Sequence, residues 1–583
     1  MPMPTTVSAA DRVPSAGWPV PEERRLVTVL FADIVGSTAL VDRLDPEDVR
    51  ALQRAYFDTV AGVLHRWHGV VEKYVGDAVM ALFGARRSDG FDAYRAVRAA
   101  LEIQRALDRR TLPGAPRLRV RVGVATGEAL VELAGARDGG HGAASGAVIT
   151  TAARLQEYAP PGGVAICAAT HRATVGLVDQ RRVPPVALAG RALPVDVWHA
   201  TGPARPGPAR HDGPLIGRRR ELATARDLIV RAVRERGPRW LSLVGPAGSG
   251  RSRLLHELTR AVDTVDGAPV RWCVAHCPPF PEPLAPVADL VRGVAGLRAA
   301  EAPAAVRRRL TAALAELLPP TGLAAAVYAL EALLAAPAGP GGTARGAEVA
   351  RETLLGLAAR QPVVVAVDDL DRSAAALSRF LHLLFAAATA RSLPLVVVAL
   401  HSPGWADVPP GSPGRRHRLA VPPLRPVETG RLLRHLLGRA DRSAATVARL
   451  LPLVGGSPGR AAAYVASLGA AQPVPESVRR EVDARLDRLD GSRRAVLMAA
   501  ATAGAGVTAA TVERLLDWAP GGAAPVLRAL ASAGLLLRRA GGRYAVADAV
   551  VREVAYARLP RAARAAFARR VAGPPEGRAD VRA

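Results

Sequence analysis

Two β-rich runs that each carry an aspartate at one end constrain this chain more than any other feature of its 583 residues. Leu26 to Ile34 reads L-V-T-V-L-F-A-D-I, with Asp33 next to last. Further on, Val71 to Gly84 reads V-E-K-Y-V-G-D-A-V-M-A-L-F-G, two apolar runs on either side of Gly76-Asp77. The second run has the grammar of a β-hairpin with an acid at its tip. Gly36, Ser37 and Thr38 follow the first run and read as a turn with free backbone N–H groups. If the two strands are neighbours, Asp33 and Asp77 stand side by side, and carboxylates about 4 Å apart repel by roughly 4 kcal/mol at an effective dielectric of about 20. Such a pair calls for a cation, and hard carboxylate oxygens suit Mg2+ or Mn2+. As plain structure, Asp33 would be a helix N-cap and Asp77 a turn residue. Lys73, inside the second run, is the one lysine among 78 basic residues.

F-A-D-I-V-G-S-T followed by E-K-Y-V-G-D-A-V-M-A-L-F-G resembles the catalytic domain of class III nucleotidyl cyclases. The resemblance implies that Asp33, Ile34 and Asp77 hold two metal ions, and that Gly36, Ser37 and Thr38 meet the substrate. It implies attack of a ribose 3′-hydroxyl on the α-phosphate with loss of pyrophosphate, in-line phosphoryl transfer under a two-metal clamp. Lys73 falls where the family selects the purine; it can donate to adenine N1, where guanine carries a hydrogen. T-T-A-A-R-L-Q-E-Y-A at 150–159 resembles the family's Asn-x-x-x-Arg helix. Arg154 matches the arginine that stabilises charge on the α-phosphate. Thr150 stands where the ribose-orienting asparagine would be, and Ala143 where a second purine-selecting residue, often aspartate, would be. A methyl group accepts no hydrogen bond, and one such lost contact costs roughly 1–3 kcal/mol, or about one to two decades of discrimination. In the family the site forms between two protomers. A homodimer is therefore implied, with Asp33 and Asp77 from one chain and Lys73 and Arg154 from the other.

The length predicts three or four domains. Residues 1–21 are Pro-, Ser- and Ala-rich and read as a disordered tail. Residues 22–200 read as the cyclase domain, in the order β-α-β-β-α-β-α-β, a two-layer α+β sheet with helices on one face. Residues 201–213 are a linker by composition. Residues 214–405 read as an α/β P-loop NTPase domain: the run Leu241 to Val244 leads into G-P-A-G-S-G-R-S at 245–252 and then a helix. Gly245, Gly248, Ser249 and Gly250 supply the backbone cradle and Ser252 a hydroxyl for Mg2+. Arg251 takes the usual lysine's place with a wide planar fork instead of a point charge. Asp368 and Asp369 end a buried strand and are the expected Mg2+ and water-activating acids. With G-G-S-P at 455–458, this part resembles AAA/STAND-type signalling ATPases, which implies ATP as its ligand. Residues 406–475 read as a helical subdomain. Residues 476–560 read as winged-helix-like, with a hairpin around Gly541-Gly542, and 561–583 as a basic helix and tail.

The formal net charge of +26 raises the question of nucleic acid. The arginines, however, are spread along the chain with few aromatics between them, which is not the footprint of a nucleic-acid surface. Cys167, Cys273 and Cys277 make no disulfide framework. No apolar run approaches the ~18 residues of a membrane span, and the N-terminus lacks the pattern of a signal peptide, so the expected location is cytoplasmic. The expected function is conversion of ATP to cyclic AMP and pyrophosphate at a homodimer interface, regulated by the STAND-like module and an upstream protein or ligand. The alternative is a catalytically degenerate cyclase fold that acts as the dimerising, nucleotide-sensing part of an ATP-switched regulator. A third reading, a DNA-binding regulator, rests on the net charge and the winged helix.

Overall fold

A computed structural model describes residues 22–37, 42, 44–109, 118–133, 143–187, 194–204, 213–280, 282–297, 301–335, 342–405, 413–438, 443–470, 473–504 and 506–572. Thr38 and the tail 1–21 lie outside the described residues. The chain divides into two compact units, one built from the residues up to 204 together with those from 470 onward, the other from those between 213 and 469.

In the first unit the cyclase-like part runs β1 (Glu22–Ile34), α1 (Pro46–Arg66), β2 (Val70–Val75), β3 (Ala78–Phe83), α2 (Asp92–Asp108), β4 (Val120–Glu132), β5 (Ala144–Ser145), α3 (Ala147–Tyr158), β6 (Val164–Cys167), α4 (Ala168–Thr174), β7 (Val178–Arg182) and β8 (Val197–Pro203). The sheet order is β2-β3-β1-β4-β6-β8-β7, with β5 added to β4. β1 pairs antiparallel with β3 and, from Glu22↔Glu132 to Ile34↔Val120, with β4. α1 opens as its residues demand: the Asp45 side chain accepts from Glu47 N, Pro46 needs no donor there, and Glu47 and Asp48 meet the positive helix end.

The expectation of helices on one face is corrected here. Val27, Val29 and Phe31 of β1 share one apolar cluster with Val148, Ala152 and Leu155 of α3. On the opposite face, Thr28, Thr126 and Thr170 form a hydrogen-bonded file from β1 through β4 to α4, and α2 packs beside α4, with α1 against α2. The physical reason lies in β1, where every residue from Val27 to Ala32 is buried. A strand apolar on both alternations needs cover on both sides.

The second unit holds α5 (Arg219–Arg234), β9 (Arg239–Val244), α6 (Arg251–Ala261), a small hairpin (β10, Thr264–Val265; β11, Ala268–Pro269), β12 (Arg271–His276), α7 (Ala285–Ala295), α8 (Pro303–Ala315), α9 (Pro320–Ala335), α10 (Gly342–Arg360), β13 (Val363–Asp368), α11 (Ala375–Ala390), β14 (Leu395–His401), β15 (Arg416–Ala420), α12 (Pro426–Leu436), α13 (Ala444–Val454) and α14 (Pro458–Ala466). Five strands pair in the order β12-β13-β14-β9-β15, all parallel. β13 and β14 are buried at every position, as strands covered by helices on both faces must be.

The chain then rejoins the first unit as α15 (Glu476–Asp487), α16 (Gly491–Ala503), α17 (Ala509–Leu516), α18 (Ala523–Ser532), β16 (Leu536–Arg539), β17 (Arg543–Val546), α19 (Ala549–Arg558) and α20 (Arg561–Ala572). The β16–β17 hairpin turns at Gly541 and Gly542, whose φ of 70° and 69° suit glycine, and Val507 adds a bridge to Tyr544. The stretch expected to be winged-helix-like thus holds helices followed by a hairpin. Among the described residues no helix is long and apolar enough to cross a membrane.

Candidate active site

Asp33 lies near the end of β1, on the same alternate face as Val27, Val29 and Phe31. The register Ala32↔Val79 brings it beside the β2–β3 turn. Gly76 makes that turn with a φ of 64° and open space where a side chain would be, and Asp77 follows it. The two carboxyls meet. Burial, then the charge of Asp77 and a shared hydrogen bond with it, push Asp33 up to about 6, while the Gln156 amide pulls the other way. Gln156, on the buried face of α3, donates from Nε2 to Asp33 Oδ2 at 3.2 Å. Tyr56 of α1 donates to Ala32 O at 3.3 Å, and its hydroxyl is pushed up by burial and by both acids. Asp77 Oδ2 is buried and has no hydrogen-bond partner. Two adjacent carboxylates with an orphaned buried oxygen fit a hard divalent cation. The Ile34 side chain is buried, which leaves its backbone as the group that could join them.

Lys73 sits on β2 opposite Met80, just past a register shift between Val71 and Lys73, and is half-buried. Arg154 lies off the buried stripe of α3, which is Val148, Ala152, Leu155 and Gln156. Among the described residues neither cation makes an ion pair or a side-chain hydrogen bond, and neither meets Asp33 or Asp77 of its own chain. Thr150 is exposed. Ala143 is 1% exposed, its methyl within the apolar cluster under α3 and its carbonyl accepting from Glu132 N at 2.8 Å. Gly36 and Ser37 follow β1, Gly36 exposed with a φ of 70°.

In the second unit, β9 leads into the loop 245–250, where Gly248 and Gly250 have φ of 73° and 95°. Ser252 is exposed at the start of α6. Arg251 is turned back into the loop, 6% exposed, donating from Nη1 to Gly245 O at 2.8 Å and from Nη2 to Asp369 Oδ1 at 2.9 Å. Asp369 also pairs with Arg372 at 3.0 Å. Two guanidinium groups thus hold Asp369, one of the two acids expected to serve Mg2+ and water, because Arg251's long fork reaches across the loop. Asp368 ends β13 and accepts from Asp369 N at 2.9 Å. Gly459 N donates to Gly248 O at 2.9 Å and Ser457 Oγ to the same oxygen at 3.2 Å, so the G-G-S-P corner rests on the loop. Arg218 donates to Ser249 O at 3.1 Å, beside a cleft of about 700 Å3 lined by Gly217, Arg218, Pro422 and Arg425.

Residues 20–192 match the family model described as the adenylate and guanylate cyclase catalytic domain, and residues 214–398 match the AAA ATPase domain. The chain carries a class III cyclase domain over 20–192, followed by an AAA ATPase domain over 214–398. An uncharacterized protein of Rhizobium meliloti (strain 1021) is 37% identical over 249 residues, 41% of this chain and 24% of that protein. Adenylate cyclase 1 of the same organism is 29% identical over 188 residues, 31% of this chain and 28% of its own. The chain thus spans about a quarter of the length of the curated relatives it matches. Among solved structures, the guanylyl cyclase Cya2 is 30% identical and covers 33% of this chain and 96% of its own, at a TM-score of 0.28.

In the cyclase domain, the acids expected to pair are brought together, and the cations expected to act with them are not. Sequence reasoning missed Gln156 and Tyr56. Gln156 carried a signal: it lies one position after Leu155 on the helical stripe that begins at Val148, so it faces the same side of the sheet as Asp33. In the AAA domain, the loop and the acids lie together, with Arg251 locked between them.

Proposed function

We propose that the cyclase domain closes ATP to cyclic AMP with release of pyrophosphate, at two equivalent sites of a homodimer, under control of the AAA domain. The observation that carries this reading is the Asp33–Asp77 pair with its orphaned buried oxygen. Asp33, Asp77 and the Ile34 backbone would hold Mg2+ or Mn2+, which when bound makes the ribose 3′-hydroxyl more acidic and offsets triphosphate charge. Gln156 orients Asp33 through its amide. Arg154 of one protomer offers its guanidinium to the α-phosphate at the other's acid pair, where negative charge grows as the bond to pyrophosphate breaks. Lys73 offers its ammonium to the purine edge. That neither cation has an ion-pair or side-chain hydrogen-bond partner among the described residues of its own chain favours a site completed by a second copy. Likeness to a relative named adenylate cyclase favours ATP.

The test uses the full chain with ATP and GTP side by side, each with Mg2+ and Mn2+, and product followed by chromatography. Cyclic AMP from ATP, abolished in Asp77→Ala, is the expected result. A folded dimer that yields no cyclic nucleotide would reject turnover. Exposed Thr150 and the buried methyl of Ala143 favour a second reading, a dimer that binds nucleotide without turnover. Nucleotide-dependent change in oligomer size without product would support it.

A further inference from the structure

Glu23 and Arg25 stand at the start of β1, 0% and 2% exposed. They occupy the same alternate face as Val27, Val29, Phe31 and Asp33. α3 covers that face from Val27 onward. Over Glu23 and Arg25 the cover comes from helices at the other end of the chain. Arg558 of α19, 1% exposed, lies 3.0 Å from Glu23 Oε2 and donates to Asp487 Oδ1 of α15 at 2.7 Å. Arg25 donates to Glu23 Oε2 at 3.2 Å, to Gly84 O at 3.3 Å, and to Asp487 Oδ2, 462 positions away in sequence. That same oxygen accepts from Ser88 N at 2.7 Å. Arg494 of α16 lies 3.5 Å from Glu23 and 3.5 Å from Asp487, and Asp483 lies 3.8 Å from Arg558. On the next strand, Glu128 accepts from Arg479 of α15 at 2.9 Å.

Glu23, Asp483 and Asp487 face Arg25, Arg494 and Arg558, and Arg479 lies 3.8 Å from Asp483, so each buried acid has a guanidinium beside it. Asp487, despite burial that would raise it, is held below the usual carboxylate range by Arg558 and Arg25. Buried ion pairs add little adhesion compared with apolar side chains of the same volume; in some proteins they instead select one register, since any slip leaves a charge uncompensated. β1 is paired with β4 along its whole length. A displacement at Glu23 is therefore carried along a fully paired strand toward Asp33.

We propose that α15–α20 are an internal docking partner of the cyclase domain, and that the joint of Glu23, Arg25, Asp487 and Arg558 sets the register of β1 and, through it, the placing of Asp33. The first half stands on the contacts alone; the second rests on the cyclase reading.

The experiment measures two quantities on the full chain: amide exchange at residues 22–26 and 84–88, and the Mn2+ concentration giving half-maximal cyclic nucleotide formation. Arg558→Met leaves two buried acids short of a cation, whereas Glu23→Gln with Arg558→Met removes one charge of each sign. In Arg558→Met, exchange at 22–26 rises about tenfold and half-saturating Mn2+ about threefold, and the double variant recovers at least about half of both changes. Unchanged exchange at 22–26 overturns the docking; raised exchange with unchanged Mn2+ dependence overturns the link to Asp33. If Arg558→Met does not fold, Arg494→Gln replaces it, at a side chain 14% exposed. There exchange is expected to rise about threefold, and no rise overturns the docking. A parent chain that makes no cyclic product overturns the cyclase reading and the link to Asp33, and the exchange measurement still decides the docking.

Discussion

Replacing Asp77 with asparagine should make the metal-free protein more stable while abolishing its activity. The Asp33 carboxyl lies at about 6 against an ordinary 3.8, a gap worth about 3 kcal/mol between protonation states. Burial, the largest cause, survives the substitution. The share from Asp77, discounted for a half-exposed position, is about 1 kcal/mol. The sign follows from linkage. Asp33 holds its proton more tightly folded than unfolded, so its stabilising contribution is full below 3.8 and is lost as pH rises through about 6. At about pH 8 the parent bears the whole repulsion, and Asp77→Asn, without it, is more stable by about 1 kcal/mol. At about pH 5 the difference shrinks, because the parent's Asp33 is largely protonated. Urea unfolding with a chelator, followed by amide exchange in β1 and β3, reads both values. Mn2+ should reverse the order at the higher pH, stabilising the parent and not the variant. A metal-free Asp77→Asn protein equal to or weaker than its parent at about pH 8 would refute the claim that the two acids repel.

Two substitutions probe other parts of the account. Gly123→Ala would put a Cβ 2.2 Å from Ala152 O and 2.3 Å from Gln156 N, backbone atoms of α3 that cannot step aside; we expect a loss of about 2–4 kcal/mol in denaturant unfolding of the cyclase domain, and an unchanged midpoint would contradict the packing of α3 on β4. Arg251→Lys removes the fork that ties Gly245 to Asp369; ATP should bind about three- to tenfold more tightly by calorimetry, and unchanged or weaker binding would show that the fork does not restrain the loop.

Much of this arrangement was legible because its signals are local. Each acid sits at the end of an apolar run, and Gly248 and Gly250 fall where the backbone takes positive φ. The cover on both faces of the cyclase sheet was also there to be read: Val27 to Ala32 leaves neither alternation of β1 polar enough for water. Other features depended on distant partners. E-E-R-R at 22–25 looks like a solvated strand entry, yet Glu23 and Arg25 are buried, because their neutralising charges arrive with α15, α16 and α19. Arg251 was readable as a cation beside phosphate, but its engagement by Asp369 depends on a strand far along the sequence. Gln156 was marked only by its place on the stripe of α3; that its amide meets Asp33 depended on where α3 lies on the sheet.

If one protomer's acid pair works with its partner's cations, mixing two dead full-length variants restores activity. Asp33→Asn and Arg154→Ala are each expected to make no cyclic nucleotide alone. After subunit exchange, half the dimers are mixed and each carries one intact site of two, so activity should return to about a quarter of the parent's. No recovery, with mixed dimers demonstrated, would contradict a site shared between chains.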